Sequence, residues 1–461
     1  MIDILFPVAG RSTPETLVAE LAAPPAGGPL VVGDDRMRAF LTTFGARLLS
    51  PAISRRHPEL GSLGFFLRRV ELARAIDLLD GEHLRVPRGL VFHVPPANVD
   101  TVFVYSWALS ALMGNHNVVR LSPRSGAVAR TIVDTLARAL RDADPAVAQT
   151  QRIVSYDRSE EATAAFSAAC DLRVIWGGDA AVTAIRRHPL APRARDLTFP
   201  DRSSFAVIRS VAWLGSSPAV RAAAAEGFAN DSYWFDQAAC SSPRTVFWVG
   251  SAADTDKAHA DFTLRLAGAI AARGWNVDAA MAVEKRVATY GMAADGDGKS
   301  ITFHGNTLAE VRLATPTAMP RRWLGMGTFA HTRLADLAEL VPLIERKDQT
   351  MTHFGFAKDE LETLAKALAG RGVDRMVPFG SALTFHRVWD GVDLPSEFTR
   401  MVTVHAPVQD RPPARTDARG GGDARGSSDP RGSSDPRGSS DPRGSGDRRG
   451  GSDRRGGSRG Q

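Results

Sequence analysis

The stretch "PRGLVFHVPPANVDTVFVYSWALSALMGNHNVVRLSPRSG", residues 87–126, decides the fold. The apolar run Gly89–Val94 predicts a buried strand, and "PPANVD" after it predicts a loop. Thr101–Met113 predicts a helix closed by Gly114, and Asn117–Ser122 the next strand. Strand, helix and strand in this order form a βαβ unit, for which a right-handed crossover is expected.

The pattern repeats downstream. An amphipathic helix, "AVARTIVDTLARALRDA", precedes the strand "RIVSY"; a helix around "SEEATAAFSAA" precedes the strand "LRVIW"; a Gly-Gly turn then leads into "DAAVTAIRRH". Repeated βα units predict an α/β fold with a mostly parallel, doubly wound sheet. A second α/β segment starts at "RTVFWVG" and continues with the long helix around "DKAHADFTLRLAGAIAARG". The expected organisation is helices and connectors over 1–85, a dinucleotide-binding domain over 86–235 and a catalytic domain over 236–385. A C-terminal return segment over 386–408 and an Arg/Gly/Ser/Asp repeat tail over 409–461 complete it. The tail is nearly free of apolar residues and cannot offset its ordering entropy, so it reads as disordered.

Composition narrows the function classes. The chain of 461 residues is 43% hydrophobic and 23% charged, ordinary for a soluble enzyme with a large core. Its net charge of +6 suggests nucleic acid, but Asp410–Gln461 holds 12 Arg and 8 Asp, a net of +4, leaving 6 − 4 = +2 elsewhere. Two cysteines argue against a disulfide framework and a structural zinc site, and a reducing cytoplasm is the expected compartment. The start "MIDILFPVAGRSTPE" lacks the features of a signal peptide, and Thr101–Met113 is too short to cross a bilayer. The histidines, His93, His304, His353 and His386 among them, are scattered without metal-ligand spacing on a helix, so no metal site is expected.

In a doubly wound sheet, ligands bind at the carboxyl ends of the strands. Asn98 follows the first such strand; its amide suits either a developing oxyanion or the cap of the next helix, and taken alone capping is the simpler role. Arg120, Ser122 and Arg124 follow the next strand, with no carboxylate between Arg120 and Gly126. They suit a 2′-phosphate, hence NADPH, or they are solvated surface groups. Gly177 and Gly178 in "WGGD" permit close approach of an anion to a helix N-terminus, although a strand-to-helix turn alone also explains them. Cys170, between an Ala-rich helix and a strand, reads as core. Cys240, in "DQAACSSPR" (236–244), has polar neighbours, and composition leaves packing and nucleophilic catalysis level.

Together, residues 87–126, "DLRVIWGGDAAVTAIR", "DQAACSSPRTVFWVG" and "RMVPFGSALTFHRVWDGVDL" resemble the aldehyde dehydrogenase superfamily, and most closely the LuxC-type acyl-CoA reductases. The resemblance spans roughly residues 60–400 and excludes the tail. It implies a dinucleotide domain, a catalytic domain and a small oligomerising element. Cys240 becomes the nucleophile and Asn98 an oxyanion donor beside the Cys240 N–H. Arg120 and Ser122 fall at the adenosine end of the cofactor, Gly177 and Gly178 near its pyrophosphate. The turn departs from the usual superfamily glycine spacing.

Aldehyde-oxidising members carry a Glu in "ELGG" that activates water. The comparable region here, "LTFPDRSSFAV", has none, and Asp201 is the nearest substitute. The resemblance therefore implies NADPH-dependent reduction of an acyl thioester to an aldehyde through an acyl-cysteine. The acyl donor would be CoA, an acyl carrier, or a partner acyl-transferase or acyl-protein synthetase, and the enzyme a homo-oligomer. Two other readings are an NAD(P)-dependent aldehyde dehydrogenase producing acid and an RNA-associated scaffold using its Arg-Gly tail.

Overall fold

The strand expected at 89–94 forms over Leu90–Val94 and lies inside a seven-stranded sheet. From edge to edge the sheet runs Gly10–Ser12, Ile2–Phe6, Gln151–Ser155, His116–Leu121, Leu90–Val94, Leu172–Trp176, Arg195–Phe199. The five strands from Gln151–Ser155 to Arg195–Phe199 are mutually parallel, and the two N-terminal strands add antiparallel at the edge. The structure is a computed structural model, which describes residues 1–79, 83–96 and 100–405. Asn98 and the repeat tail lie outside the described residues.

Helix Asp100–Leu112 explains why this stretch is so apolar. Its residues 103–112 are all buried, because one side faces the sheet and the other faces the N-terminal helix Asp35–Leu48. Trp107 meets Phe40 and Phe44 edge to face, with centroids 6.3 and 6.5 Å away. Truncating so enclosed a side chain costs about 3–5 kcal/mol. Gly114 ends the helix at φ 81°; a Cβ there would lie 2.8 Å from the Val31 carbonyl oxygen, so glycine is required.

The polar groups beneath this helix satisfy one another. His93 Nε2 lies 2.9 Å from Asn117 Oδ1, and His93 Nδ1 lies 3.0 Å from Ser106 Oγ. Asn117 and Trp107 both donate to Gln151 Oε1. Burial pushes the His93 imidazole down to about 4, so it is a neutral core group.

A second seven-stranded sheet runs Gly298–His304, Leu308–Leu313, Thr328–Leu334, Pro243–Val249, Ser203–Arg209, Asp348–Phe354, Arg375–Pro378, parallel except at its first strand. Alternate residues serve opposite faces. Val246 and Trp248 pack with Phe228 of helix Pro218–Tyr233 and Phe262 of helix Ala252–Arg273; Phe247 and Val249 pack with Met292 and Leu364 on the other side.

Two differences from the expected organisation stand out. Ser203–Arg209 belongs to the second sheet, so the change of sheet falls between Phe199 and Ser203, well before the boundary expected at 235/236. Only residues 200–202 separate the alternating strand Arg195–Phe199 from the buried run Ser203–Arg209, and periodicity carries no record of sheet membership. Likewise, residues 2–6 and 10–12 are sheet strands rather than connectors: Ile2–Phe6 pairs with distant Gln151–Ser155, and Gly10–Ser12 pairs with Ile2–Phe6. No helix among the described residues is long and apolar enough to cross a membrane.

Candidate active site

The connectivity of the first sheet creates a topological switch point. From Leu90–Val94 the chain moves to His116–Leu121 and Gln151–Ser155 on one side, then crosses to Leu172–Trp176 on the other. The loops leaving Val94 and Trp176 therefore diverge at a switch point, where open parallel sheets receive ligands. Asn98 belongs to the first of these loops, at a position outside the described residues.

Arg120 lies near the end of the adjacent strand. Its guanidinium sits over the Tyr156 ring, 5.1 Å from the centroid, and donates to the Tyr156 carbonyl at 3.4 Å. Its Nε has no hydrogen-bond partner among the described residues. Ser122 Oγ accepts from the Arg124 N–H at 3.3 Å, which turns the chain toward helix Ala127–Leu140; Arg124 itself is exposed. Gly177 donates to the Phe199 carbonyl, and Gly178 is the N-cap of helix Asp179–Arg186. A Cβ on Gly178 would meet nothing within 4 Å, so internal packing does not demand glycine there.

Cys240 comes from the second sheet, on the loop entering Pro243–Val249, and packs against the core of the first sheet. The loop is held under strain. Phe235, Asp236 and Gln237 are consecutively left-handed, at φ 57°, 54° and 59°, a conformation costing about 1–2 kcal/mol per residue. Gln237 offsets this with its buried amide, donating to the carbonyls of Pro243 and Thr328 and accepting from the Thr328 N–H. Ser204 Oγ donates to the Cys240 carbonyl at 2.6 Å, and Ser242 Oγ to the Asp231 carbonyl at 2.7 Å. The polar neighbours that made Cys240 look solvated, Gln237, Ser241 and Ser242, are all buried, and Gln237 and Ser242 are anchors. The cysteine itself is half-buried and free.

Burial pushes the Cys240 thiol up to about 12, and the Asp390 carboxylate adds to the effect; a hydrogen bond from Gln349 and the Arg244 and Arg202 guanidiniums oppose it. Asp390 is one of the residues sequence reasoning missed. It occupies the turn of a hairpin, Val388–Trp389 with Val392–Asp393, in which Asp390 and Gly391 have φ 50° and 74°. An Asp-Gly pair is a recognisable hairpin signal, but nothing in it points to the cysteine. The Asp390 carboxylate accepts from the Gln349 amide and lies 3.8 Å from Arg202, and burial raises its own pKa. Asp201 is exposed and paired with Lys347 at 2.7 Å. Cys170 is a buried core thiol, also pushed up to about 12 by burial.

The chain is similar to the long-chain acyl-protein thioester reductase of Aliivibrio fischeri, 23% identical over 298 residues, 64% of this chain and 59% of that protein. Its counterpart in Photorhabdus luminescens is 25% identical over 334 residues, 70% of this chain and 65% of the relative. The similarity thus spans less than two thirds of either relative. A crystal structure of a putative aldehyde dehydrogenase from Burkholderia cenocepacia superposes with a TM-score of 0.61 at 16% identity, over 87% of this chain and 93% of that one, which establishes the fold. The model of the family described as acyl-CoA reductase (LuxC) matches residues 59–289, a range containing Asn98, Arg120, Ser122, Gly177, Gly178 and Cys240. The chain belongs to the LuxC family.

Proposed function

We propose that this protein reduces an acyl thioester to an aldehyde with NADPH, through an acyl-enzyme on Cys240. The observation that carries the reading is the strained, clamped loop that presents a free cysteine to the core of the first sheet. Cys240 waits as a neutral thiol, loses its proton as the thioester enters, and its sulfur attacks the carbonyl carbon. The C–S bond to CoA or to a carrier breaks, and that thiol leaves with the proton. NADPH, when bound, supplies the hydride that converts the acyl-cysteine carbonyl to a thiohemiacetal oxyanion. Asn98 and the Cys240 N–H hold this oxyanion until it collapses to aldehyde and frees the sulfur. One such donor is worth roughly 3 kcal/mol.

The described residues fit that cofactor. Arg120 offers a partly exposed guanidinium, Arg124 an exposed one, and Gly178 an open helix N-cap, all at carboxyl ends of parallel strands. The lack of a Glu in 197–207, with Asp201 tied to Lys347 and Asp390 turned to Gln349 and Arg202, supports hydride rather than water as the acceptor of the acyl group.

Intact-protein mass spectrometry with a panel of acyl-CoAs tests the reading. A single acyl adduct is expected on the wild type, absent from Cys240→Ala and discharged as aldehyde on adding NADPH. Asn98→Ala should slow turnover about a hundredfold while leaving cofactor affinity intact. Aldehyde formation by Cys240→Ala at the wild-type rate would overturn the assignment.

A further inference from the structure

Three histidines and a glutamate that lie far apart in sequence converge on the second sheet. The register pairs His304 with Leu308, Thr302 with Glu310 and Arg312 with His331, and alternation then sends His304, Glu310, His331 and Trp248 to the face beneath helix Ala252–Arg273. From that helix His259 and Thr263, one turn apart, reach down to the same carboxylate. Glu310 Oε1 lies 2.8 Å from His259 Nε2 and 3.3 Å from His331 Nε2, while Oε2 lies 2.8 Å from His304 Nε2.

The geometry points to a divalent transition-metal site of the zinc class, with His259 Nε2, Glu310 and His331 Nε2 as ligands. Their ligand atoms all lie within 4.8 Å of one another, compatible with the spacing of roughly 3.4 Å that tetrahedral bonds of about 2.1 Å demand. His331 is 3% exposed, and its Nε2 has no hydrogen-bond partner among the described residues although it faces the carboxylate. This is a buried nitrogen aimed at the point a metal would occupy. Two histidines and one glutamate leave a fourth position for water, and two of these ligands, His259 and Glu310, line a surface pocket together with Asp256, Thr263, His304 and Arg312. His304 steadies the second carboxylate oxygen, as outer partners of metal ligands do. None of these residues belongs to the Cys240 cluster.

One contact works against tight binding. Trp248 Nε1 donates to His331 Nδ1 at 3.2 Å. Coordination through Nε2 places the ring proton on Nδ1, where it faces the indole N–H, so the indole must turn aside. The site is therefore built for exchangeable binding, and Trp248→Phe removes the opposition.

Calorimetric titration of the full chain with Zn²⁺, in a Cys240→Ser background that removes the half-exposed thiol, tests this. One ion per chain is expected, with a rise in Tm. His259→Ala should weaken binding at least tenfold and abolish the Tm rise, whereas Trp248→Phe should tighten it about tenfold. Co²⁺ should give visible d–d absorption without a thiolate charge-transfer band. Unchanged affinity in a folded His259→Ala protein overturns the proposal, and so does absence of stoichiometric binding in both the parent and Trp248→Phe.

Discussion

The resting thiol of Cys240 should be hard to alkylate, and the extent follows from its surroundings. With a pKa of about 12 against the ordinary 9.0, thiolate at pH 8 falls from about one molecule in ten to about one in ten thousand. The rarer thiolate is also the stronger nucleophile. Reactivity rises by roughly 0.4–0.5 of a decade per pKa unit, about twentyfold here. The net expectation is iodoacetamide labelling about fiftyfold slower than that of a free cysteine at pH 8, with the rate rising tenfold per pH unit up to at least pH 10. Asp390→Asn removes the carboxylate that raises the thiol while keeping an oxygen for Gln349, so it should speed labelling across that range. Peptide mapping by mass spectrometry separates Cys240 from buried Cys170, which also serves as an internal reference. A labelling rate that levels off below pH 8, or slower labelling in Asp390→Asn, would refute the reasoning. A plateau below pH 8 would show that the arginines, not burial, govern the sulfur.

Gln237→Ala strips the hydrogen bonds that hold three left-handed residues, leaving buried carbonyls unpaired; a loss of about 3 kcal/mol in urea unfolding and a fall in acyl-enzyme formation are expected. Arg124→Ala and Arg120→Ala should each weaken NADPH binding about tenfold or more while leaving NADH nearly unchanged, measured by fluorescence titration; equal losses for both cofactors would remove the 2′-phosphate role. Asp231 is buried against the N–H groups of Gly380 and Ala382, and burial raises its carboxyl to about 7. Its folded pKa exceeds its unfolded value near 3.8, so its contribution is complete below that value and is lost as pH rises through 7. The stability of the wild type relative to Asp231→Asn should therefore decline from pH 5 to pH 8 in urea unfolding. A constant difference would contradict it.

The parallel βαβ architecture was legible because apolar runs, helical periodicity and Gly114 are local properties, each decided by a few neighbouring residues. The strand over Leu90–Val94, the helix after it and the strand at His116–Leu121 formed within a residue or two of their expected limits. Local sequence left Cys240 level between packing and catalysis, and it was the resemblance carried by "DQAACSSPR" and its companion stretches that singled it out. What the serines and glutamine around it do was not legible. They look like the wall of a wet pocket and are buried, because the partners of Ser242 and Gln237, Asp231 and Thr328, come from another helix and another strand.

Sheet membership and the polar clusters belong to the tertiary structure alone. Ser203–Arg209 reads as one more buried strand, and only its pairing with Pro243–Val249 and Asp348–Phe354 assigns it to the second sheet. Asp390 reaches the cysteine's surroundings through a hairpin far along the chain. His259, His304, Glu310 and His331 look scattered until register and helix packing bring four elements to one point. Local patterns specify which residues extend or coil; which side chains meet depends on strand pairing over long sequence separations, and no spacing rule encodes it.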